Sequence, residues 1–280
     1  MVRNILVGYD GTRPADVAVA QAIALAELAG GRIALAHVLP VTEDAAGLEG
    51  AEAEADIAAL ALGQTERGAG NEIPDDAMQP VTVEEIHRRC QDLHIVCEDE
   101  QLFGGHPGIR LLRRSWLAEL LVVGRGRERR SGQPGANTTF LLTELVAPTL
   151  VAARQYVELR SVLMPYKVSV DGGRGLSFAA QFCQMLNAEL EVLICEPKRT
   201  VAHEARASVE RFLRAYHIES STDVALAAPH EAVQSAALER ASSLVIVPGA
   251  HKRNYVLPWQ RNETLWRALE VPGAAVLAYP

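Results

Sequence analysis

Short apolar runs alternate along the chain with longer stretches of helical spacing. Asn4 to Tyr9 is such a run and ends in Asp10-Gly11-Thr12, the pattern of a buried parallel strand closing in a turn. Pro14-Ala15-Asp16 suits a first helical turn. Val17, Ala20, Ile23, Ala24 and Leu28 then recur at helical spacing until Gly30-Gly31. Ile33 to Val38 is the next strand, and strand, helix and strand together make a βαβ unit, which implies a parallel sheet with right-handed crossovers. Further on, the pattern predicts helices over Thr42 to Arg67, Val83 to Gln91, Ile109 to Glu119 and Asn137 to Val146, and a loop over Gly68 to Pro80. It predicts strands over His94 to Cys97, Leu120 to Val123 and Thr149 to Ala153. This order fits one doubly wound sheet.

The alternation starts again at Ser161 to Tyr166, which parallels Asn4 to Tyr9. Helices are predicted over Leu176 to Leu186, Ala202 to Tyr216 and Ala232 to Arg240. Strands are predicted over Leu190 to Cys195, Thr222 to Leu226, Leu244 to Val247 and Ala274 to Ala278. Gly124 and Gly249 each follow a strand, and Asn137 and Asn262 each open the next helix, at a shared offset of 125 residues. Internal repetition of this kind points to two units. The expected architecture is α/β, two tandem doubly wound domains, residues 1–157 and 158–280, each a five-stranded parallel sheet flanked by helices. The last strands, Thr149 to Ala153 and Ala274 to Ala278, are expected to pack the halves together, since an uncovered apolar edge invites association.

The length of 280 residues suits two domains, and 49 % apolar with 22 % charged residues is ordinary for a globular protein. A net charge of −8 argues against a nucleic-acid partner, and no stretch reaches membrane-spanning length, so a cytoplasmic setting without a membrane partner is the expectation. Cys90, Cys97, Cys183 and Cys195 lack CxxC spacing, and neither a metal site nor a redox motif is expected from it.

In an open parallel sheet, ligands sit beyond the carboxyl ends of the strands where the strand order reverses. Asp10, Val38 and Gly124 fall at such ends. Glycines after the fourth strand let backbone N–H groups approach a phosphate, and a helix opening at Asn137 presents unpaired N–H groups to an anion. Bland readings stand beside these: Asn137, Thr138 and Asn262 as helix caps, Asp10 as a turn former. Arg125, Arg127, Arg129 and Arg130 are either a solvated loop or phosphate contacts.

The first strand with its Asp-Gly-Thr ending, and the loop after the fourth strand, make the chain resemble universal stress protein domains. Nucleotide-binding members of that family carry G-x2-G-x9-G-[ST] in this loop. Here Gly124 fits the first glycine, Arg127 stands second with Gly126 one residue early, and Asn137 stands third, followed by Thr138. In the second half Gly249 fits, with Lys252 second and Asn262 third, followed by Glu263. Either Asp171, after an insertion, or Lys167 takes the place of Asp10 there. His37-Val38 matches a His-Val pair whose backbone faces the adenine in the family. The resemblance implies an adenine nucleotide α-hydrolase-like, Rossmann-like fold, and a site for ATP or AMP in the first half built from Asp10, Gly11, Thr12, Val38, Gly124, Gly126, Arg127, Asn137, Thr138 and Thr139. The second half, with Lys252, Arg261 and Glu263 near its loop, is expected to serve structure and pairing.

Three functional readings follow. The first is a non-enzymatic stress-associated protein that binds ATP or AMP, with homodimer formation open to it. The second is an interaction scaffold that binds no nucleotide. The third is a weak ATPase of the wider α-hydrolase-like group, against which no base or nucleophile arrangement can be placed.

Overall fold

The structure, a computed structural model, describes residues 2–39, 81–126, 133–250 and 262–280. The helix expected over Thr42 to Arg67, the loop to Pro80, and Arg127, Arg129, Arg130, Lys252 and Arg261 lie outside the described residues.

The first half runs β1 (Asn4–Gly8), α1 (Arg13–Ala29), β2 (Arg32–Leu39), α2 (Val83–Asp92), β3 (Val96–Phe103), α3 (Pro107–Ser115), β4 (Leu120–Val123), α4 (Ala136–Thr143) and β5 (Thr149–Val151). The second runs β6 (Ser161–Tyr166), α5 (Val170–Leu186), β7 (Glu189–Cys195), α6 (Arg199–Leu213), β8 (Ser220–Ala225), α7 (Pro229–Glu239), β9 (Leu244–Pro248), α8 (Glu263–Leu269) and β10 (Ala275–Tyr279). Within each half the strands are parallel.

The expectation of two separate sheets is corrected. β5 and β10 pair antiparallel, with Val151 opposite Val276, Leu150 opposite Leu277 and Thr149 opposite Ala278. One ten-stranded sheet results, in the order β3-β2-β1-β4-β5-β10-β9-β6-β7-β8. The physical reason is the one that singled these strands out: all three residues of β5 are buried, and the unpaired N–H and C=O groups of each apolar edge are satisfied by the other.

Side-chain alternation divides the core between the two faces of this sheet. Ile5 and Val7 point to one face, where residues of α1, α2, α5 and α6 join them. Leu6 points to the other, with residues of α3, α4, α7 and α8. Both clusters draw on both halves, and β1 is apolar throughout its middle because helices cover both its faces.

Several boundaries differ from the pattern, among them the following. β3 runs on through Glu98, Asp99 and Glu100, which an edge strand tolerates because one side faces water. α3 stops at Ser115 and not at Glu119. α5 starts at Val170, six residues before the expected Leu176.

Candidate functional site

Strand order in the first half reverses at β1, whose neighbours are β2 on one side and β4 on the other. In such a sheet the crevice for a ligand lies at the carboxyl ends of these strands, and the β1–α1 turn, the end of β2 and the described residues of the β4–α4 loop are found there. Asp10, exposed, accepts from the Thr12 amide at 3.1 Å and the Thr12 hydroxyl at 2.6 Å. This is an Asx turn, with Gly11 between them at φ 71°. Thr12 is the N-cap of α1, but its side chain caps no amide; its hydroxyl donates to Asp10.

Gly124 lies against the first turn of α1. A Cβ there would stand 2.4 Å from the Pro14 carbonyl oxygen, so only glycine lets the two loops touch. Gly126 takes φ 67° and sits over Gly135 and Thr138. The loop is closed by the Gly135 amide donating to the Arg125 carbonyl at 2.7 Å. The Thr138 hydroxyl donates to the Gly124 carbonyl at 2.9 Å and the Thr139 hydroxyl to the Pro134 carbonyl at 3.1 Å. Asn137 is exposed in the first turn of α4, and Val38 is half-buried at the end of β2. Asp10, Gly11, Thr12, Val38, Gly124, Gly126, Asn137, Thr138 and Thr139 thus share one end of the sheet. Arg127, expected with them, lies outside the described residues.

Several expectations are corrected. The N-cap of α4 is Gly135, so Asn137 and Thr138 stand inside the helix and cap nothing. Asn262 does cap α8, accepting from the Leu265 amide at 3.1 Å. Arg125 is neither solvated nor aimed at a phosphate: it is 5 % exposed and donates through Nη1 to the Leu269 carbonyl at 2.8 Å, at the C-terminus of α8 in the other half. A cation there complements the negative end of the helix dipole.

The ladders also settle the register of the second half. Ile5 pairs with Leu120 as Val162 pairs with Leu244, and Asn4 pairs with Arg32 as Ser161 pairs with Glu189. On this register Lys167 takes the place of Asp10, and Pro248, not Gly249, takes the place of Gly124. Asp171 lies in the first turn of α5 against Gly249. Ser169 caps α5, accepting from the Gly172 amide at 3.0 Å, and Glu196 accepts from the Val168 amide at 3.0 Å. An amide of that turn is thereby taken by the chain's own carboxylate.

Two features went unseen in the sequence. Tyr9, at the end of β1, donates its hydroxyl to Asp16 at 3.2 Å and also touches the Val81 carbonyl. Its ring meets that of His37 edge-on at 5.1 Å. Burial, then the Asp16 charge, push the Tyr9 hydroxyl up to about 12. The reach of Arg125 is the other, and its partner is a backbone carbonyl that no side-chain pattern announces.

Residues 1–136 match the universal stress protein family. Over its whole length the chain is similar in structure to a universal stress protein from Archaeoglobus fulgidus DSM 4304, at 14 % identity and a TM-score of 0.68, covering 98 % of this chain and 97 % of that one. It is similar also to a putative universal stress protein from Pseudomonas aeruginosa UCBPP-PA14, at 11 % identity and a TM-score of 0.65, covering 99 % and 93 %. At such identities the likeness shows the fold. No curated protein matches the chain. Among the described residues no helix is long and apolar enough to cross a membrane.

Proposed function

We propose that this is a tandem universal stress protein that binds ATP or AMP in its first half, at the crevice beyond β1, β2 and β4, while the second half serves structure and pairing. The units are residues 1–157 and 158–280, the setting is cytoplasmic, and the role is binding and not catalysis. The observation that carries the reading is the contact of the β4–α4 loop with the N-terminus of α1 through Gly124, beside the Asp10 turn and at the point where strand order reverses. The first turn of α4 offers backbone N–H groups to a phosphate. The second half is the poorer site, because Lys167 replaces Asp10 and Glu196 already holds the Val168 amide.

A scaffold that binds no nucleotide is the second reading. It is favoured by the internal bonds that occupy Asp10, Thr138 and Thr139.

Mass analysis of nucleotide extracted from the purified chain, with calorimetric titration of ATP and AMP, separates the two. Adenine nucleotide is expected, with Asp10→Ala weakening it by about 1.5–3 kcal/mol, the worth of a hydrogen bond to a charged group, and Lys167→Ala leaving it unchanged. An empty protein without binding heat establishes the scaffold. Unchanged affinity in Asp10→Ala together with loss in Asp171→Ala assigns the site to the second half.

A further inference from the structure

Away from the crevice, two free cysteines meet where α2 packs on the edge strand. Cys90, buried, is near the end of α2, and the Leu93 and Ile95 amides both donate to its carbonyl, at 3.2 and 2.8 Å, turning the chain sharply into β3. Cys97, half-buried, is the second residue of β3 and packs on the same core cluster as Cys90. Each thiol is near enough to shift the ionisation of the other. His87 lies one helical turn before Cys90, and its Nε2 is 2.9 Å from Oδ1 of Asp99, the next residue on Cys97's face of the strand. The cluster is thus two thiols, an imidazole and a carboxylate, facing each other from a helix and a strand. Among the described residues no group of three or more His, Cys, Asp or Glu is disposed to hold a metal ion.

We infer that Cys90 and Cys97 form a reversible dithiol–disulfide site that fastens α2 to the edge strand β3 when the chain meets a hydroperoxide. The Cys90 thiol is held below its ordinary value, first by the S–H of Cys97 and then by the charge of His87, which together outweigh burial; the same contact pushes Cys97 up. Cys90 is therefore the nucleophile. Its thiolate attacks one peroxide oxygen, the O–O bond breaks, and the hydroxide released takes a proton and leaves as water. The Cys97 sulfur then attacks the Cys90 sulfenic acid, the S–OH bond breaks, and the departing hydroxide takes the Cys97 proton as a second water. Two thiols and one peroxide become one disulfide and two waters, and an external dithiol reverses the change by exchange. Burial of Cys90 makes the oxidation slow. Cys183 and Cys195 serve as internal controls: both are buried, burial pushes each up to about 12, and Cys195 donates to the Leu193 carbonyl at 3.3 Å.

Cleavage after arginine and lysine leaves both cysteines in one peptide, from Cys90 to Arg110. The full chain is to be treated with hydrogen peroxide, alkylated without reduction, digested and weighed. The expected product is that peptide two hydrogens lighter than its dithiol form, unalkylated, restored by dithiothreitol, with slower amide exchange in α2 while oxidised. Cys90→Ser and Cys97→Ser should each abolish the lighter peptide and leave the other thiol to be alkylated or over-oxidised. A peptide that stays doubly alkylated in the oxidised, folded chain, a disulfide between two chains, or an intramolecular disulfide without slower exchange in α2 overturns the inference.

Discussion

Tyr9 shows how one residue at the end of a buried strand acquires a pH dependence. Deprotonation would put a negative charge in a buried place beside the carboxylate of Asp16, so its folded-state value is raised from 10.0 to about 12. A raised value means the stabilisation is fully present below the unfolded value and lost as pH climbs towards the folded one. The stability difference between the native chain and Tyr9→Phe is therefore expected to shrink between about pH 10 and pH 12, from about 1 kcal/mol for the lost hydrogen bond at neutral pH. Urea unfolding of both proteins across that range checks it, and a constant difference would show that the hydroxyl is not desolvated as described. The position of the candidate site residues was legible at this scale: Asp10, Gly11 and Thr12 follow one apolar run and Gly124 another, and both runs are strands. Arg125 was not. Its neighbours made a charge run, whereas its own side chain is buried on the Leu269 carbonyl, a group every residue possesses.

At the scale of elements, α5 explains why a helix start was misplaced. Gly172, Gly173 and Gly175 read as a loop because glycine in a helix interior costs about 1 kcal/mol relative to alanine. Two of the three have a packing reason. A Cβ on Gly172 would stand 2.1 Å from the Lys167 carbonyl oxygen, and one on Gly175 2.4 Å from the Pro248 Cβ, whereas Gly173 faces open space. Gly173→Ala is accordingly expected to stabilise the chain by about 0.5–1 kcal/mol, and Gly175→Ala to destabilise it by about 1–3 kcal/mol despite the same gain in propensity. Thermal melts of the pair test the contrast; two changes of the same sign would show that propensity and not the contact with Pro248 decides. The same proline explains the misread register. Equal spacing paired Gly124 with Gly249 and Asn137 with Asn262, but the ladders put Pro248 level with Gly124, and the helix caps are Gly135 and Asn262. Spacing counts residues, whereas register is fixed by hydrogen bonds, and loops of different length between them break the match.

Across the whole molecule, the treatment of sheet edges separates what stays open from what is joined. The outer strands β3 and β8 carry Glu98, Asp99 and Glu100, and Asp223, where charge discourages further pairing. Ion pairs tie both strands to the helices beside them, Arg114 to Glu100 and Arg240 to Asp223. β5 and β10 carry no charge, are buried almost throughout, and close on each other at the centre. Apolar composition alone marked those edges as ones to be covered; that the cover would be edge pairing, giving one sheet and two cores shared by both halves, depended on backbone groups that composition does not report. The pairing is centred on Leu150 opposite Leu277, with Thr149 and Val151 meeting Ala278 and Val276 on either side. A second β5 can supply the same pattern, Leu150 opposite Leu150 and Thr149 opposite Val151. The isolated segment 1–157 should therefore exist as a dimer paired through β5, since a monomer would expose an apolar edge together with the surface that α5 and α8 cover in the full chain. Light scattering on that segment measures the outcome. Leu150→Lys, which places charge at the centre of the new pair, should shift it to monomer or prevent folding, and a folded, monomeric 1–157 with Leu150 intact at tens of micromolar would show that the edge needs no partner.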